Sequence, residues 1–246
     1  MDPATIALIA GLMFLGAALY TSVGHAGASA YLAIMALFSV APETMRPTAL
    51  VLNIFVASFA SWRYATAGQF DLKLALPFIA GALPMAFVGG GISLPPETYR
   101  PLLGGVLLLA AFRLLWPTPL DRQGRIAPPP VWLAVGCGAG IGLLSGLTGT
   151  GGGIFLSPLL LFLGWSEPRR ASGIAAVFIL MNSMSGLAGN FASVGRLPPE
   201  LPWFIVAVVA GAVIGTRLGV SRLPTPRLFQ VLGVVLVIAS GKLLLS

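Results

Sequence analysis

Residues 142–154 read Gly-Leu-Leu-Ser-Gly-Leu-Thr-Gly-Thr-Gly-Gly-Gly-Ile, a glycine cluster inside an otherwise apolar stretch. Four of the five residues from 149 to 153 are glycines, and so many glycines destabilise a helix. We name residues 149–153 the second break. Residues 24–27, Gly-His-Ala-Gly, interrupt the first apolar stretch in the same way and form the first break. The sequence thus predicts two interrupted helices about half a chain apart.

The composition predicts a membrane protein. Hydrophobic residues make up 57% of the 246 residues, charged residues 9%, and the mean hydropathy is +0.95. Soluble domains carry about 25% charged residues, so this chain has too few charges to cover a surface in water. The formal charge of +7 is spread over short loops without a dense basic cluster, which argues against nucleic acid as a partner. One cysteine, one histidine and no nucleotide-binding loop predict neither a metal site nor a cofactor.

Ten apolar segments predict an all-α polytopic membrane protein, and most of them approach the roughly 20 residues that a spanning helix needs. Residues 29–41 and 154–164 are shorter. They either cross the bilayer steeply or return as half-helices of a re-entrant hairpin. The apolar segments cover residues 5–22, 29–41, 48–66, 72–93, 101–116, 131–147, 154–164, 170–191, 201–218 and 226–244.

The two halves of the chain resemble each other, because Gly24 and Gly27 of the first break align with Gly149 and Gly152 of the second. This predicts one transmembrane transport domain, residues 1–246, with a first repeat at 1–116, a linker at 117–130 and a second repeat at 131–246. Further aligned pairs are Arg46 with Arg170, Ile79–Ala82 with Val209–Ala212, Leu94 with Leu223, Gly104 with Gly233, and Arg113–Leu115 with Lys242–Leu244.

Loop charges indicate how the two repeats are oriented. If each repeat has five segments, ten cations fall on one side of the membrane and four on the other; if each broken pair makes a single crossing, the split is seven to seven. Cations favour the cytoplasmic side. We therefore expect inverted repeats of about five helical segments, with the linker in the cytoplasm and both termini outside. The four cations expected outside are Arg46, Arg100, Arg196 and Lys242.

Glycines in the two breaks free backbone N–H groups at the start of a half-helix. A helix N-terminus carries roughly half a positive charge, and with free amides it binds an anion without a full charge in the membrane. Interrupted helices at matching places in two repeats are typical of secondary transporters. Close helix packing is the alternative role for these glycines. The candidate substrate-binding residues of the breaks are Gly24, His25, Ala26, Gly27, Ser29, Gly149, Thr150, Gly151, Gly152 and Gly153.

Polar side chains in the third segment of each half extend this candidate site. Asn53, and Asn182 with Ser183, lie in mid-segment, where an amide in hydrocarbon needs partners and faces the interior. Hydrogen bonding between helices is the alternative role. His25 either donates to an anion or carries a coupled proton, since its charge changes near neutral pH. Its alternative is a structural imidazole bonded to a carbonyl.

Single glycines elsewhere in the apolar segments are expected to allow close helix packing rather than to bind a ligand. They occur without the clustering that marks the breaks. These glycines are Gly11, Gly16, Gly136, Gly140, Gly186 and Gly189.

At these residues the chain resembles the sulfite exporter TauE/SafE family of bacterial permeases. The second break, followed by Ser-Pro-Leu at 157–159, is similar to the family's glycine-rich segment and its downstream proline. Residues 23–35 and 49–54 are similar to a branch of the family with a histidine in the first break. The chain departs from the commoner pattern at Ala26 and Ala30, where glycine is usual. The resemblance covers almost the whole chain and implies export of small sulfur-containing anions, such as sulfite or organosulfonates, driven by an ion gradient.

We therefore expect a secondary transporter of the bacterial inner membrane that crosses the bilayer several times. Its expected partners are a small anion, the lipid bilayer and a coupled proton or another ion, with the oligomeric state left open. An anion channel or a non-catalytic accessory membrane subunit is the alternative. An enzyme is not expected, because the seven acidic residues all lie near segment ends and offer no intramembrane pair.

Overall fold

The computed structural model describes residues 2–115, 126–221 and 226–245, and all regular structure within them is helical. Lipid offers the backbone no hydrogen bonds, so helices are how this apolar chain satisfies its own N–H and C=O groups. A short 3₁₀ helix, Phe191–Arg196, follows α8. The α-helices within the described residues are α1 (Pro3–Thr21), α2 (Ala28–Leu37), α3 (Pro42–Thr66), α4 (Leu72–Gly91), α5 (Pro96–Leu115), α6 (Val131–Thr148), α7 (Gly153–Phe162), α8 (Pro168–Gly189), α9 (Leu201–Ser221) and α10 (Pro226–Leu245).

Two helices begin earlier than the apolar segments predicted. Helix α3 begins at Pro42 rather than at residue 48, and α5 begins at Pro96 rather than at residue 101. Proline is tolerated at the start of a helix, where its missing N–H removes no hydrogen bond. Glu43 and Glu97 follow in the first turns, where the helix dipole favours negative charge. Both helices therefore extend into polar sequence that hydropathy alone assigns to loops.

The helices that follow the two breaks are short. Helices α2 and α7 have 10 residues each, about 15 Å at ~1.5 Å per residue, or half of the ~30 Å hydrocarbon core. They are preceded by Gly27, with φ 99°, and Gly152, with φ 80°, both in the left-handed region. Neither helix crosses a bilayer by itself.

Other helices are long enough to span. Within the described residues, six are long and apolar enough to cross a membrane: α1, α4, α5, α6, α8 and α9. The protein is therefore a multi-pass membrane protein. Helix α3 is longer, with 25 residues, but it carries more polar side chains and is not among the six.

Two pairs of helices, α4 with α6 and α1 with α9, pack in parallel through glycines. A Cβ placed on Gly138 of α6 would lie 2.1 Å from the carbonyl oxygen of Phe78 in α4, and one on Gly142 would lie 2.4 Å from that of Ala82. The two backbones are thus in direct contact, which any side chain larger than hydrogen would prevent. Helix α9 packs on α1 in the same way, again through its glycines.

Only some of the glycines that were predicted to pack against a neighbouring helix do so in the structure. In α6 glycines recur every four residues in two sets, at 136 and 140 and at 138, 142 and 146, and only the second set faces α4. Spacing alone does not tell which face of a helix meets its neighbour. Among the described residues, no heavy atom lies within 4 Å of a Cβ added to Gly11, Gly136 or Gly140, so these three do not pack on a described neighbour as predicted, whereas Gly16, Gly186 and Gly189 lie in contacts.

The order of helix lengths repeats along the chain, with 19, 10, 25, 20 and 20 residues in α1–α5 and 18, 10, 22, 21 and 20 in α6–α10. Two pairs of helices with the same place in this order, α5 with α10 and α3 with α8, pack antiparallel. Gly104 of α5 lies against Leu244 at the end of α10, and Gly233 of α10 lies against Leu115 at the end of α5. Helices α3 and α8 also run in opposite directions, with the end of α3 beside Gly173 near the start of α8.

The predicted linker is described only at its end. Residues 117–125 lie outside the described residues, as do Arg122, Arg125 and Arg222 of the predicted cytoplasmic cations. Residues 126–130 have no regular structure and lead into α6. The Ala127 N–H donates to the Gly164 carbonyl at 3.2 Å, which ties the entry of α6 to the loop between α7 and α8.

Candidate functional site

The two breaks touch at His25. Its Nε2 lies 3.0 Å from the Gly153 carbonyl oxygen at the start of α7, and its Nδ1 lies 3.1 Å from the Val23 carbonyl oxygen. Both neighbours are acceptors. A neutral imidazole donates from one nitrogen, so only the imidazolium form donates to both carbonyls. His25 therefore joins segments that are 128 residues apart, and its two hydrogen bonds depend on its protonation.

The second break is held in a conformation that requires glycine. Gly149, Gly151 and Gly152 have φ values of 84°, 76° and 80°, in the left-handed region that L side chains rarely adopt. The N–H groups of residues 150–152 donate to no backbone carbonyl among the described residues. Unpaired N–H groups at the start of a helix, together with the helix dipole, are suited to hold an anion.

Polar side chains predicted from the sequence converge on this break. An added Cβ on Gly151 would lie 2.4 Å from the Asn53 Nδ2 and 3.2 Å from the Ser183 Oγ. The Asn182 Nδ2 lies 2.9 Å from an added Cβ on Gly152. Asn53, Asn182 and Ser183 are all buried. The structure thus brings α3, α8 and the second break together around donors from two carboxamides.

The first break lies against other partners. The Gly24 and His25 N–H groups donate to carbonyls at the end of α1, at 3.2 and 2.9 Å, whereas those of Ala26 and Gly27 donate to no described backbone carbonyl. The Ser29 hydroxyl donates to the Tyr20 hydroxyl at 2.6 Å, and the Tyr31 hydroxyl donates to the Ala26 carbonyl. An added Cβ on Gly24 would lie against α8, and one on Gly27 against the Tyr31 ring. Only His25 of the first break reaches the polar cluster at the second.

The Thr150 side chain of the second break lies against the end of α6. Its hydroxyl lies 3.0 Å from the Thr148 hydroxyl, which donates to the Leu144 carbonyl at 2.8 Å. The Thr150 side chain, 5% exposed, therefore supports the end of α6.

The tyrosines are site residues that the sequence did not single out. All four tyrosines of the chain are buried. A buried phenol needs a hydrogen-bond partner, and the last carbonyls of an interrupted helix need donors. The expected pairing of buried phenols with these carbonyls could have identified the tyrosines from the sequence. Tyr64 donates to the Thr21 carbonyl at 2.9 Å and Tyr99 to the Thr148 carbonyl at 3.0 Å, so each phenol closes the end of a helix before a break, while Tyr20 and Tyr31 bond within the first break.

Arg46 is a second residue whose place the sequence did not give. Counted there as a loop cation, it lies within α3 and is 6% exposed. Its guanidinium donates to the carbonyls of Ile92 at 2.9 Å, Gly89 at 2.7 Å and Gly90, the last carbonyls of α4. Its Cγ is 3.2 Å from an added Cβ on Gly149. The Arg46 side chain thus passes the second break and holds its charge at the end of α4.

A separate cavity of about 600 Å³ opens away from the breaks, between the loop after α3, the entry of α6 and the loop after α7. Its charged lining residues are Asp71, Lys73, Glu167 and Arg170, two acids and two bases. Because these charges balance, the cavity offers an anion less attraction than the break. We therefore assign the candidate site to the enclosed second break rather than to the larger opening.

No group of three His, Cys, Asp or Glu side chains that could hold a metal ion lies in the described part of the chain. The donors at the second break are amides, hydroxyls, an imidazole and a nearby guanidinium. Such a set binds oxyanions by hydrogen bonding and charge. This set of groups can hold an anion without any covalent step.

The chain is similar to known membrane transporters. The chain is 38% identical over 248 residues to the "Probable membrane transporter protein y4hK" of Sinorhizobium fredii, covering 99% of this chain and all of that protein. It is 26% identical to the "Probable membrane transporter protein YjnA" of Bacillus subtilis, covering 95% of this chain and 97% of that one. A 34% identical match to an undecaprenyl-diphosphatase of Desulfatibacillum aliphaticivorans covers only 38% of this chain and 35% of that protein. No solved structure matches.

Residues 8–243 match the family described as "Sulfite exporter TauE/SafE", which is 236 of the 246 residues. Both relatives that match over their full length are named as transporters, so the chain is a transporter and not an enzyme. This protein therefore belongs to the sulfite exporter TauE/SafE family of membrane transporters.

Proposed function

We propose that the protein is a secondary transporter that exports small sulfur-containing anions, such as sulfite or organosulfonates, and holds the anion at the second break. The observation that carries this proposal is the set of N–H groups at residues 150–152 that donate to no described backbone carbonyl. They lie at the start of α7, whose dipole places about half a positive charge there. The Nδ2 groups of Asn53 and Asn182 lie beside them as further donors.

Charge at the site favours an anion. The Arg46 side chain, whose Cγ is 3.2 Å from an added Cβ on Gly149, carries a positive charge that adds to the field of the α7 dipole. An imidazolium at His25, which both of its carbonyl neighbours favour, would add a second positive charge. Because a protonated ring could donate to both the Val23 and the Gly153 carbonyl oxygens, we propose His25 as the carrier of a coupled proton.

Alternating access would follow from inverted repeats, the first at 1–116 and the second at 131–246. A two-fold axis that runs along the helices relates two equivalent helices as parallel neighbours. A two-fold axis perpendicular to the helices relates them as antiparallel neighbours. The antiparallel packing of α5 with α10 and of α3 with α8 supports the second arrangement, which is that of inverted-repeat transporters. The His25–Gly153 contact would then hold the two halves together in this state and open in the other. In our proposal this domain lies in the bacterial inner membrane with both termini outside.

Flux through purified protein in liposomes tests the proposal. Liposomes loaded with unlabelled sulfite or methanesulfonate should accumulate the labelled anion from outside, because a carrier exchanges bound substrate. Flux that follows the anion gradient without exchange would identify a channel instead. No movement across a panel of sulfur oxyanions and carboxylates, with folded protein, would refute anion transport. If the protein folds only together with a co-purified subunit, the chain has an accessory role.

A further inference from the structure

One buried carboxamide oxygen beside the second break has no partner. Asn182 is 1% exposed, and its Oδ1 accepts no hydrogen bond from any described residue. Its Nδ2 donates to the Gly151 carbonyl at 3.5 Å, so turning the carboxamide over would bring two carbonyl oxygens together. Buried polar atoms without partners are uncommon in native proteins and call for an explanation. The Asn182 Oδ1 therefore needs a hydrogen-bond donor that the described residues do not supply.

The Asn53 carboxamide is different, although Asn53 is 0% exposed and its Oδ1 is also without a partner. Its Nδ2 lies 3.3 Å from the Ser183 Oγ, and a hydroxyl can either accept or donate a hydrogen bond. Turning this carboxamide over pairs its oxygen with the Ser183 hydroxyl. Of the two carboxamides, only that of Asn182 requires a further donor.

The Asn182 carboxamide lies against the start of α7. Its Nδ2 is 2.9 Å from an added Cβ on Gly152, the residue that precedes α7. Bond lengths put the Oδ1 ~2.3 Å from the Nδ2 of the same carboxamide, and hence within about 6 Å of the Gly151 carbonyl oxygen. The Gly152 N–H belongs to the same peptide group as that carbonyl and donates to no described backbone carbonyl. A free donor and a free acceptor thus lie within reach of one small ligand.

A fully ionised sulfite or an unsubstituted alkanesulfonate does not bring the missing donor. Its oxygens are acceptors, which pair with the N–H groups of the second break and leave the Asn182 Oδ1 unpaired. An anion that also carries an O–H group pairs with both. Hydrogensulfite carries an acidic O–H, and a hydroxyalkanesulfonate carries an alcohol O–H.

We propose that the transported anion carries an O–H group that donates to the Asn182 Oδ1 while its other oxygens accept from the second break, an inference that rests on the proposed function. Asn182 then determines specificity among sulfur oxyanions. The added hydrogen bond should favour such an anion by about tenfold over one of the same size without a donor. Without this bond, the Ile141 and Phe178 side chains, which also lie against Gly152, would favour the more apolar anion.

A matched pair of sulfonates tests the alcohol O–H. Hydroxyethanesulfonate and propanesulfonate have the same number of non-hydrogen atoms, and an O–H in the first takes the place of a methyl group in the second. Calorimetry with purified protein in detergent should show about tenfold tighter binding of hydroxyethanesulfonate. If a water molecule alone satisfies the Asn182 Oδ1, the two affinities will be equal or propanesulfonate will bind more tightly, and either result counts against the proposal.

The pH dependence of binding tests the acidic O–H. Sulfite loses its last proton near neutral pH, so its affinity should fall as the pH rises if hydrogensulfite is the bound form. Hydroxyethanesulfonate does not titrate in this range, and its affinity reports any titration of the protein, that of His25 included. If the sulfonate pair shows no preference and sulfite follows the same pH profile as hydroxyethanesulfonate, the proposal is overturned and the anion site stands. Absence of binding of every sulfur anion at every pH would overturn the proposed function itself.

Variants assign the preference to Asn182. Asn182→Leu should reduce the ratio of the two sulfonate affinities to one or below. Asn53→Leu, at an equally buried carboxamide beside Gly151, should weaken both sulfonates and retain the ratio. Asn182→Asp covers the case in which a leucine variant does not fold: it keeps the acceptor oxygens and should retain the ratio, while its negative charge weakens both sulfonates. A ratio that survives Asn182→Leu, or that is lost in Asn182→Asp or Asn53→Leu, would contradict the assignment.

Discussion

Alanine at Gly151 should damage both folding and anion binding. Gly151 has φ 76°, and a left-handed alanine costs about 1–2 kcal/mol. Its Cβ would lie 2.4 Å from the Asn53 Nδ2 and 2.9 Å from the Ile179 Cγ2, so buried side chains must move. Overpacking of this kind costs about 1–3 kcal/mol. We expect Gly151→Ala to lower the free energy of unfolding by ~2–5 kcal/mol in all.

Gly68→Ala separates the two costs. Gly68 has φ 69°, but no heavy atom lies within 4 Å of its added Cβ, so it pays only the backbone term of ~1–2 kcal/mol. Denaturant unfolding in detergent measures both variants. Calorimetry with methanesulfonate should show at least a tenfold loss of affinity for Gly151→Ala, equivalent to about 1.4 kcal/mol, and none for Gly68→Ala. Equal unfolding energies, or unchanged affinity in Gly151→Ala, would refute the placement of Asn53 against the break.

Four further substitutions test the packing and the caps, each by unfolding in detergent. Gly138→Ala should destabilise the protein by about 1–3 kcal/mol because its Cβ meets α4, while Gly140→Ala should be neutral or stabilising by up to ~1 kcal/mol; equal effects would place the wrong face of α6 against α4. Lys242→Met removes a 2.8 Å hydrogen bond to the Leu37 carbonyl at the end of α2 and should cost ~0.5–1.5 kcal/mol, with no change expected if that contact does not form. Tyr99→Phe leaves the last carbonyl of α6 unpaired and should cost ~1–3 kcal/mol; a neutral result would remove the phenol from the break.

The sequence predicted the breaks well because glycine clusters have few other uses inside a membrane helix. Gly24 and Gly27 align with Gly149 and Gly152, and all four have positive φ in the structure. The half-helices after them were also expected, since their apolar segments were too short to span. The residue type indicates this local conformation directly, because glycine readily adopts positive φ.

Helix faces could not be predicted in the same way. Two glycine stripes in α6 have equal spacing, and which one meets α4 depends on a neighbour more than 40 residues earlier in the chain. The burial of Arg46 has the same cause. Its partners are the last carbonyls of α4, and no local pattern indicates that a cation near the start of α3 will cap a different helix.

The unequal use of the two breaks was also beyond the sequence. Alignment treats the repeats as equal, so both breaks were expected to bind the anion. Asn53 and Asn182 come from different repeats, yet both lie beside the second break. In the first break, Tyr20 and Tyr31 occupy the corresponding space with their own hydrogen bonds. Side-chain packing, not the backbone pattern, decides which break has the polar side chains of α3 and α8 beside it.

Protection of a cysteine at Ser183 tests the central proposition most directly. Ser183→Cys is made in a Cys137→Ala chain, and the rate of modification by an anionic, membrane-impermeant thiol reagent is measured with and without saturating methanesulfonate; Thr66→Cys at the exposed end of α3 serves as the control. If the anion is held at the second break, methanesulfonate slows modification at position 183 and leaves position 66 unchanged. Modification at 183 at the same rate with and without the anion would contradict the account.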